Sequence, residues 1–197
     1  MASRPAVTVV GGGLAGSEAA LQLARLGVPV RLVEMRPEIE TPAHRTGHLA
    51  EIVCSNSLKS TAPATPSGLL KEELDLMGCR LLGLARQAAV PAGAALAVDK
   101  DVFSGLVEEA VADEPLIELE NADLTELPAE PDHRWIVATG PLTSAGLVEE
   151  LGRLTGQPSL HFFDAIAPTV THDSLDLDHL YRCLLYTSDA ADDLYTV

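Results

Sequence analysis

Hydrophobic and polar positions change rhythm several times along this chain, and each change marks an element. Val7-Thr8-Val9-Val10 is a short run of β-branched, mostly apolar residues, the pattern of a strand buried in a parallel sheet. Beyond a cluster of glycines, Ala19, Ala20, Leu23, Ala24 and Leu26 fall largely on one helical face, with Gly27 placed to cap it. Residues 28–34 turn apolar again and predict a second strand, which Pro37 stops. Residues 38–67 are rich in Thr, Ser, Pro and His, show no clean period and read as a long loop. Leu69, Leu70, Leu74, Met77, Leu81, Leu82 and Leu84 then recur near helical spacing, predicting a helix over 68–87 with a break at Gly78.

The second half continues in the same alternation. Residues 90–98 predict a strand or short hairpin. Residues 100–113 predict a helix with Val102, Phe103, Leu106, Val107 and Val111 on its apolar side. Strands follow over 116–120 and 135–139, then a helix over 143–154 with Thr143 or Ser144 as N-cap. Two short strands are expected over 160–163 and 166–170. No internal repeat is present. Alternating strand and helix argues an α/β fold with a mainly parallel sheet.

The glycine cluster gives the first chemistry. Gly11-Gly12-Gly13-Leu14-Ala15-Gly16 satisfies G-x-G-x-x-G through Gly11, Gly13 and Gly16. In that motif the first glycine allows the tight turn, the second lets backbone approach a pyrophosphate, and the third lets helix and strand pack closely. Here a strand precedes it, a helix follows it, and Glu34 closes the second strand 18 residues after Gly16. An acid at that distance belongs on a ribose 2′-hydroxyl, and it would repel a 2′-phosphate. The stretch predicts a dinucleotide-binding, Rossmann-like domain that takes FAD or NAD rather than NADP.

Composition narrows the setting. Of the 197 residues, 47% are hydrophobic, enough for a sizeable core. No run reaches the ~18 apolar residues of a membrane span, and the N-terminus leads straight into the first strand, so a cytoplasmic protein without a signal peptide is expected. Net charge is −16, unevenly spread. Residues 1–100 carry 10 Lys+Arg against 9 Asp+Glu, whereas residues 101–197 carry 3 against 20. The acidic half is a poor surface for phosphates, so any nucleic-acid contact is expected elsewhere.

Cysteines stand at 54, 79 and 183, a spacing that gives neither a disulfide framework nor a metal site. Cys54 lies among Ser55, Asn56, Ser57 and Lys59, where a thiol is more readily ionised; the competing reading is a small buried hydrophobe. Cys79 reads as packing. His44 and His48, four apart, could share a helix face, but with no third ligand the expectation is loop hydrogen bonding, not a metal. Lys59 could meet an anion or simply be solvated.

These stretches carry a family likeness. Val9 to Ala20, Glu34-Met35-Arg36-Pro37, Thr41-Pro42-Ala43-His44-Arg45-Thr46 and Val53-Cys54-Ser55-Asn56-Ser57-Leu58-Lys59-Ser60 are part of it. So are Gly68-Leu69-Leu70-Lys71-Glu72-Glu73, Val90-Pro91-Ala92-Gly93-Ala94-Ala95-Leu96-Ala97-Val98-Asp99, Ala138-Thr139-Gly140-Pro141-Leu142-Thr143-Ser144 and Phe163-Asp164-Ala165-Ile166-Ala167-Pro168. Over residues 6–182 the chain resembles the folate- and FAD-dependent tRNA (uracil-5-)-methyltransferases, the TrmFO (formerly Gid) family.

The resemblance implies an enzyme that reduces a methylene group from 5,10-methylenetetrahydrofolate with FAD and delivers a methyl to C5 of a T-loop uridine in tRNA. NAD(P)H would restore the flavin. It implies Cys54 as the catalytic thiol, and Gly11, Gly12, Gly13, Leu14, Ala15, Gly16, Glu34, Thr139 and Gly140 as cofactor-binding residues. The partners implied are tRNA and folate, with no membrane and no metal. Residues 1–182 would form the FAD-binding domain with part of an inserted region, as the N-terminal fragment of a longer enzyme. Residues 183–197 read as an unrelated tail, of the kind translated adapter or vector sequence gives. The fold would then be incomplete at its C-terminal end, with the family's second cysteine beyond the chain. The competing expectations are a non-catalytic FAD-binding fragment and a related flavin-dependent tRNA-uridine modification enzyme.

Overall fold

The computed structural model describes residues 7–53, 55–129 and 131–156. The apolar run Val7–Val10 forms strand β1, buried at all four positions. Helix α1 (Leu14–Arg25) returns the chain to β2 (Val30–Glu34). Strand β6 (Ile117–Asn121) and strand β7 (Arg134–Val137) complete a four-stranded sheet in the order β6-β2-β1-β7. Every pairing in it is parallel, with Val7 opposite both Val30 and Arg134, and Val30 opposite Ile117. This is the mainly parallel, Rossmann-like α/β architecture expected from the sequence.

Between β2 and β6 lie β3 (Ser57–Ser60), α2 (Pro66–Leu76), α3 (Arg80–Gln87), β4 (Ala89–Val90), β5 (Ala95–Val98) and α4 (Lys100–Ala112). Strands β3, β5 and β4 pair antiparallel as a second, three-stranded sheet. After β7, a 3-10 turn (Gly140–Leu142) leads into α5 (Ala145–Thr155).

Strand alternation divides the core. Val7, Val9, Val30 and Leu32 face one way, against Ala20 and Leu21 of α1, Leu81 and Leu82 of α3, and Phe103, Val107 and Val111 of α4. Val10 faces the other way, against Leu127 and Leu147. Burying a side chain the size of Phe103 or Leu32 contributes about 1.5–3 kcal/mol each. On the second face, Glu150 of α5 accepts from the Leu127 N–H (3.1 Å) and pairs with Arg153 (2.6 Å). The Arg153 hydrogen bond, then the Leu127 N–H, hold the Glu150 carboxyl down at about 2.

Several expectations hold and others need correction. The helix break falls at Gly78, whose φ of +76° suits glycine. Ser144 caps α5, accepting from the Leu147 N–H, and residues 89–98 do form a hairpin. Gly27 (φ +78°) follows α1 and donates to the Ala24 carbonyl. The buried stripe of α1, however, is Ser17, Ala20, Leu21 and Ala24, and Leu26 is 73% exposed. Helix α2 starts at Pro66, earlier than the leucine pattern suggested, because the Thr65 hydroxyl caps the Gly68 N–H. Leu69, Leu70 and Met77 of that pattern are exposed, as is Val102 of α4. The stretch read as loop over 38–67 contains β3, whose polar residues gave no apolar period to detect. His44 and His48 share no helix; both lie in irregular chain. The expected strands over 160–163 and 166–170 and the tail from Cys183 lie outside the described residues. Among the described residues no helix is long and apolar enough to cross a membrane.

Candidate dinucleotide-binding cleft

The parallel sheet runs β1 to β2 in one direction and β1 to β7 in the other. A crevice forms at the carboxyl ends of the strands where the order reverses, the usual ligand position in such sheets. Here it is a cleft of about 300 Å³.

Its floor is the glycine turn. Gly11 has φ +100°, and a Cβ there would stand 2.7 Å from the Ala138 carbonyl oxygen, so β7 could not approach β1 this closely with any other residue. A Cβ on Gly16 would stand 1.7 Å from the Gly11 oxygen, which fixes how tightly α1 seats on the turn. Gly13 differs: a Cβ there would meet nothing within 4 Å, because it would project into free space at the cleft. Gly13 is also the N-cap of α1 and supplies no side-chain cap, so the first N–H groups of a 12-residue helix and its positive dipole end are left for a ligand.

Of the residues expected to bind a cofactor, Gly11, Gly13, Leu14, Ala15, Glu34, Thr139 and Gly140 line this one cleft. Gly12 and Gly16 do not line it. Gly12 works behind it: its N–H donates to Glu34 Oε2 (2.6 Å), and its carbonyl accepts from the Ala50 N–H (2.8 Å) and the Ser17 hydroxyl (3.0 Å). On the β7 side the Thr139 and Thr143 hydroxyls bond at 2.6 Å. Cys54 lies outside the described residues. Of its neighbours, Val53 lines the cleft, and Asn56 is fixed to Val98 through its side-chain amide (3.2 Å) and its carbonyl (2.9 Å).

Glu34 is 4% exposed at the end of β2. Its Oε1 accepts from the Arg36 guanidinium (2.8 Å) and the Arg36 N–H (3.1 Å). Burial pushes its carboxyl pKa up, but the Arg36 hydrogen bond and charge, with the N–H groups of Arg36 and Gly12, outweigh that and leave it below the ordinary value. Glu34 is therefore ionised at neutral pH. Arg36, 3% exposed, also reaches Glu51 Oε2 (3.1 Å).

Sequence reasoning did not place five charged or polar residues on the cleft wall: Arg36, His44, Glu51, Asp123 and Ser144. Arg36 had a signal, being an arginine two residues beyond the acid of a buried strand. The others had none, since they arrive from irregular segments. His44 bonds the Thr41 hydroxyl (2.6 Å) and His48 pairs with Glu108 (2.9 Å), the loop hydrogen bonding expected of them. Burial, then the Arg36 charge, lower the His44 pKa against the opposing pull of Glu51 and Glu34, so its imidazole is neutral at pH 7. Cys79 packs against the larger core, and burial raises its thiol pKa.

The family model described as "Glucose inhibited division protein A" matches residues 6–196. The chain belongs to that GIDA family. It is 50% identical over 186 residues to the methylenetetrahydrofolate–tRNA-(uracil-5-)-methyltransferase TrmFO of Syntrophomonas wolfei, covering 94% of this chain and 42% of that protein. It is likewise 50% identical over 188 residues to the TrmFO of Geobacter sulfurreducens, covering 95% of this chain and 43% of the relative. The chain thus spans about two-fifths of the length of the curated relatives it matches. Among solved structures, Aquifex aeolicus GidA superposes with a TM-score of 0.55 at 16% identity, over 68% of this chain and 25% of that one, a likeness of fold. This GIDA-family chain therefore combines the family's sequence with a Rossmann-like cleft.

Proposed function

We propose that this chain holds FAD in its cleft and forms the flavin-binding part of a methylenetetrahydrofolate–tRNA-(uracil-5-)-methyltransferase. The observation that carries the reading is the 50% identity, over 94% of the chain, to a relative of that name. The cleft supports it in three ways. The N-terminus of α1 offers uncapped N–H groups to a pyrophosphate. The free space at Gly13 lets the phosphates come close. The ionised Glu34 carboxylate still has acceptor capacity beyond Gly12 and Arg36, enough for a ribose hydroxyl. A 2′-phosphate would meet Glu34, while Arg36, the cation that could neutralise it, is already shared between Glu34 and Glu51. An unphosphorylated ribose fits; an NADP ribose does not.

In this reading Gly11, Gly13, Leu14 and Ala15 surround the pyrophosphate, and Thr139 and Gly140 close the β7 side. Gly12 and Gly16 hold the turn's shape. Bound reduced flavin would supply the two electrons that convert a folate-borne methylene into a methyl, with NADH or NADPH restoring them. Cys54 is the residue proposed to act on the base. Its thiolate would add to C6 of the uracil, giving C5 the nucleophilicity to attack the one-carbon unit. Loss of the C5 proton would expel tetrahydrofolate by breaking the bond from the one-carbon unit to its nitrogen; a hydride equivalent, the two electrons named above, would turn the resulting exocyclic methylene into the methyl, and expulsion of the sulfur would return the ring to uracil.

The test is a chimera in which residues 6–156 of this chain replace the corresponding segment of the Syntrophomonas wolfei relative. 5-Methyluridine formed in unmethylated tRNA is then measured with FAD, NADH and 5,10-methylenetetrahydrofolate. The expected result is methylation in the chimera, lost in Cys54→Ala with flavin retained. A chimera that binds flavin yet never methylates tRNA would refute the reading.

A further inference from the structure

Two charged side chains beside the ribose-binding Glu34, those of Arg36 and Glu51, make none of the cofactor contacts above. The Glu34 carboxylate, the Arg36 guanidinium and the Glu51 carboxylate form a continuous chain, Glu34 to Arg36 at 2.8 Å and Arg36 to Glu51 at 3.1 Å, with side-chain exposures of 5%, 3% and 11%. Among the described residues lining the cleft, Arg36 is the one permanent cation. Without it, two carboxylates would face each other in a partly buried site, so the three groups are arranged together or not at all.

The chain ends on backbone. Glu51 Oε1 accepts from the Arg45 N–H (2.8 Å); Glu51 Oε2 accepts from the Thr46 N–H (3.2 Å) and the Thr46 hydroxyl (2.8 Å). Arg36 also donates to the Thr46 carbonyl (3.4 Å). The segment is held at its other side where the Ala50 N–H meets the Gly12 carbonyl and Leu49 packs over Gly12. Ala50 takes a positive φ of +51° to make that contact. Residues 41–51, with no strand or helix of their own, are thus fastened to the turn under the pyrophosphate position and to the acid under the ribose position.

We propose that Arg36 and Glu51 are positioning residues that make residues 41–51 a strap over the cleft, so that strap ordering and dinucleotide binding are energetically coupled. The inference rests on the FAD reading above. A ribose drawn to Glu34 and phosphates drawn to the glycine turn favour one arrangement of Glu34 and Gly12. That arrangement is the one in which Arg36 and Glu51 fasten the strap. Coupling of this kind is reciprocal: the factor by which FAD disfavours strap opening equals the factor by which opening weakens FAD.

The experiment uses the 197-residue chain. Arg45 is exposed within the strap, so trypsin cleavage of the Arg45–Thr46 bond, followed by mass, reports opening. FAD affinity is read separately from flavin fluorescence. In the unaltered chain, saturating FAD should slow cleavage at Arg45 by roughly tenfold or more. Glu51→Gln should speed cleavage without FAD and weaken FAD by roughly five- to tenfold, although Glu51 makes none of the proposed ribose or pyrophosphate contacts. Thr46→Val, which removes the hydroxyl bonded to Glu51 (2.8 Å) and to the His48 N–H (3.2 Å) but keeps the Glu51 charge, should move both readouts the same way by smaller factors and guards against a Glu51→Gln chain that fails to fold. If Glu51 merely tidied its own segment, cleavage would rise in both variants while FAD affinity stayed unchanged; that result overturns the proposal. A chain that never binds FAD would instead overturn the cofactor reading.

Discussion

Gly13→Ala and Gly16→Ala differ by one methyl each at two positions of the same motif, yet the structure assigns them opposite consequences. At Gly16 the new Cβ would lie 1.7 Å from the Gly11 carbonyl oxygen, about 1.3 Å short of the 3.0 Å floor for real Cβ contacts. The obstacle is backbone in a turn wedged between β1 and β7, where Gly11 is itself 2.7 Å from Ala138 by the same measure. Relief requires lifting α1 off the sheet. The cost should reach or exceed the upper end of overpacking penalties, about 3 kcal/mol. At roughly 2–4 °C per kcal/mol for a chain of this length, Tm should fall by roughly 6–12 °C.

At Gly13 the Cβ meets no protein atom within 4 Å and φ is an ordinary −71°, so stability should change by less than about 1 kcal/mol, mainly through the poorer N-cap. The methyl would, however, stand where phosphates must approach. A clash of about 1–3 kcal/mol in the complex alone weakens FAD by roughly five- to 150-fold. Thermal melts without ligand and flavin titrations separate the two quantities. If Gly13→Ala binds FAD as tightly as the unaltered chain, or Gly16→Ala melts at the same temperature, the reasoning about the turn is wrong.

Replacing Glu34 by Gln should cost roughly 2–3 kcal/mol at pH 7, less than a wholly orphaned buried charge because Glu51 still faces Arg36; an unchanged denaturant midpoint would contradict this. Glu34 has a depressed pKa in the folded state, so its contribution is present above the ordinary carboxylate value and is lost as pH falls through the folded one. His44, also depressed, adds a loss on the same side, setting in as pH drops below about 6.5. Stability should therefore fall on acidification in two stages: a Tm unchanged between about pH 7 and 5 would refute the His44 assignment, and one that falls between about pH 5 and 2 no less steeply in Glu34→Gln than in the unaltered chain would refute that of Glu34. Glu150→Ala should speed hydrogen exchange at the Leu127 amide, which it accepts, without altering exchange in β1. In a full-length context, tRNA crosslinks should avoid residues 101–156, whose carboxylates repel phosphates; dominant crosslinks there would show that the charge argument fails.

The parallel sheet and the glycine turn were legible in the sequence because both rest on local rules. A buried strand must be apolar, and the turn needs glycine where Gly11 has positive φ and where Gly16 has no room for a Cβ. The helix break at Gly78 was legible for the same reason. What stayed hidden depends on partners distant in the chain. Strand β3 is Ser57-Leu58-Lys59-Ser60 and is a strand only because β5, some 40 residues later, offers its edge. The buried face of α1 is set by which neighbours cover it: Leu21 meets the core, whereas the more hydrophobic-looking choice, Leu26, sits past the helix end in solvent. The cleft's charged wall was hidden for a related reason. Glu51 is 15 residues from Arg36, and the tie between them is made by an irregular segment with no period to read.

In the proposed function this cleft holds a flavin through its adenosine half, with the glycine turn on the pyrophosphate and Glu34 on the ribose. Parallel titrations of the 197-residue chain with FAD and with FMN, followed by flavin fluorescence, test it most directly. FMN carries the same isoalloxazine but lacks the adenosine monophosphate portion. One FAD should bind saturably per chain, FMN should bind more weakly by roughly a hundredfold or more, and that preference should be lost in Glu34→Gln with Gly13→Ala. Equal affinity for FAD and FMN, or no flavin binding at all, would contradict it.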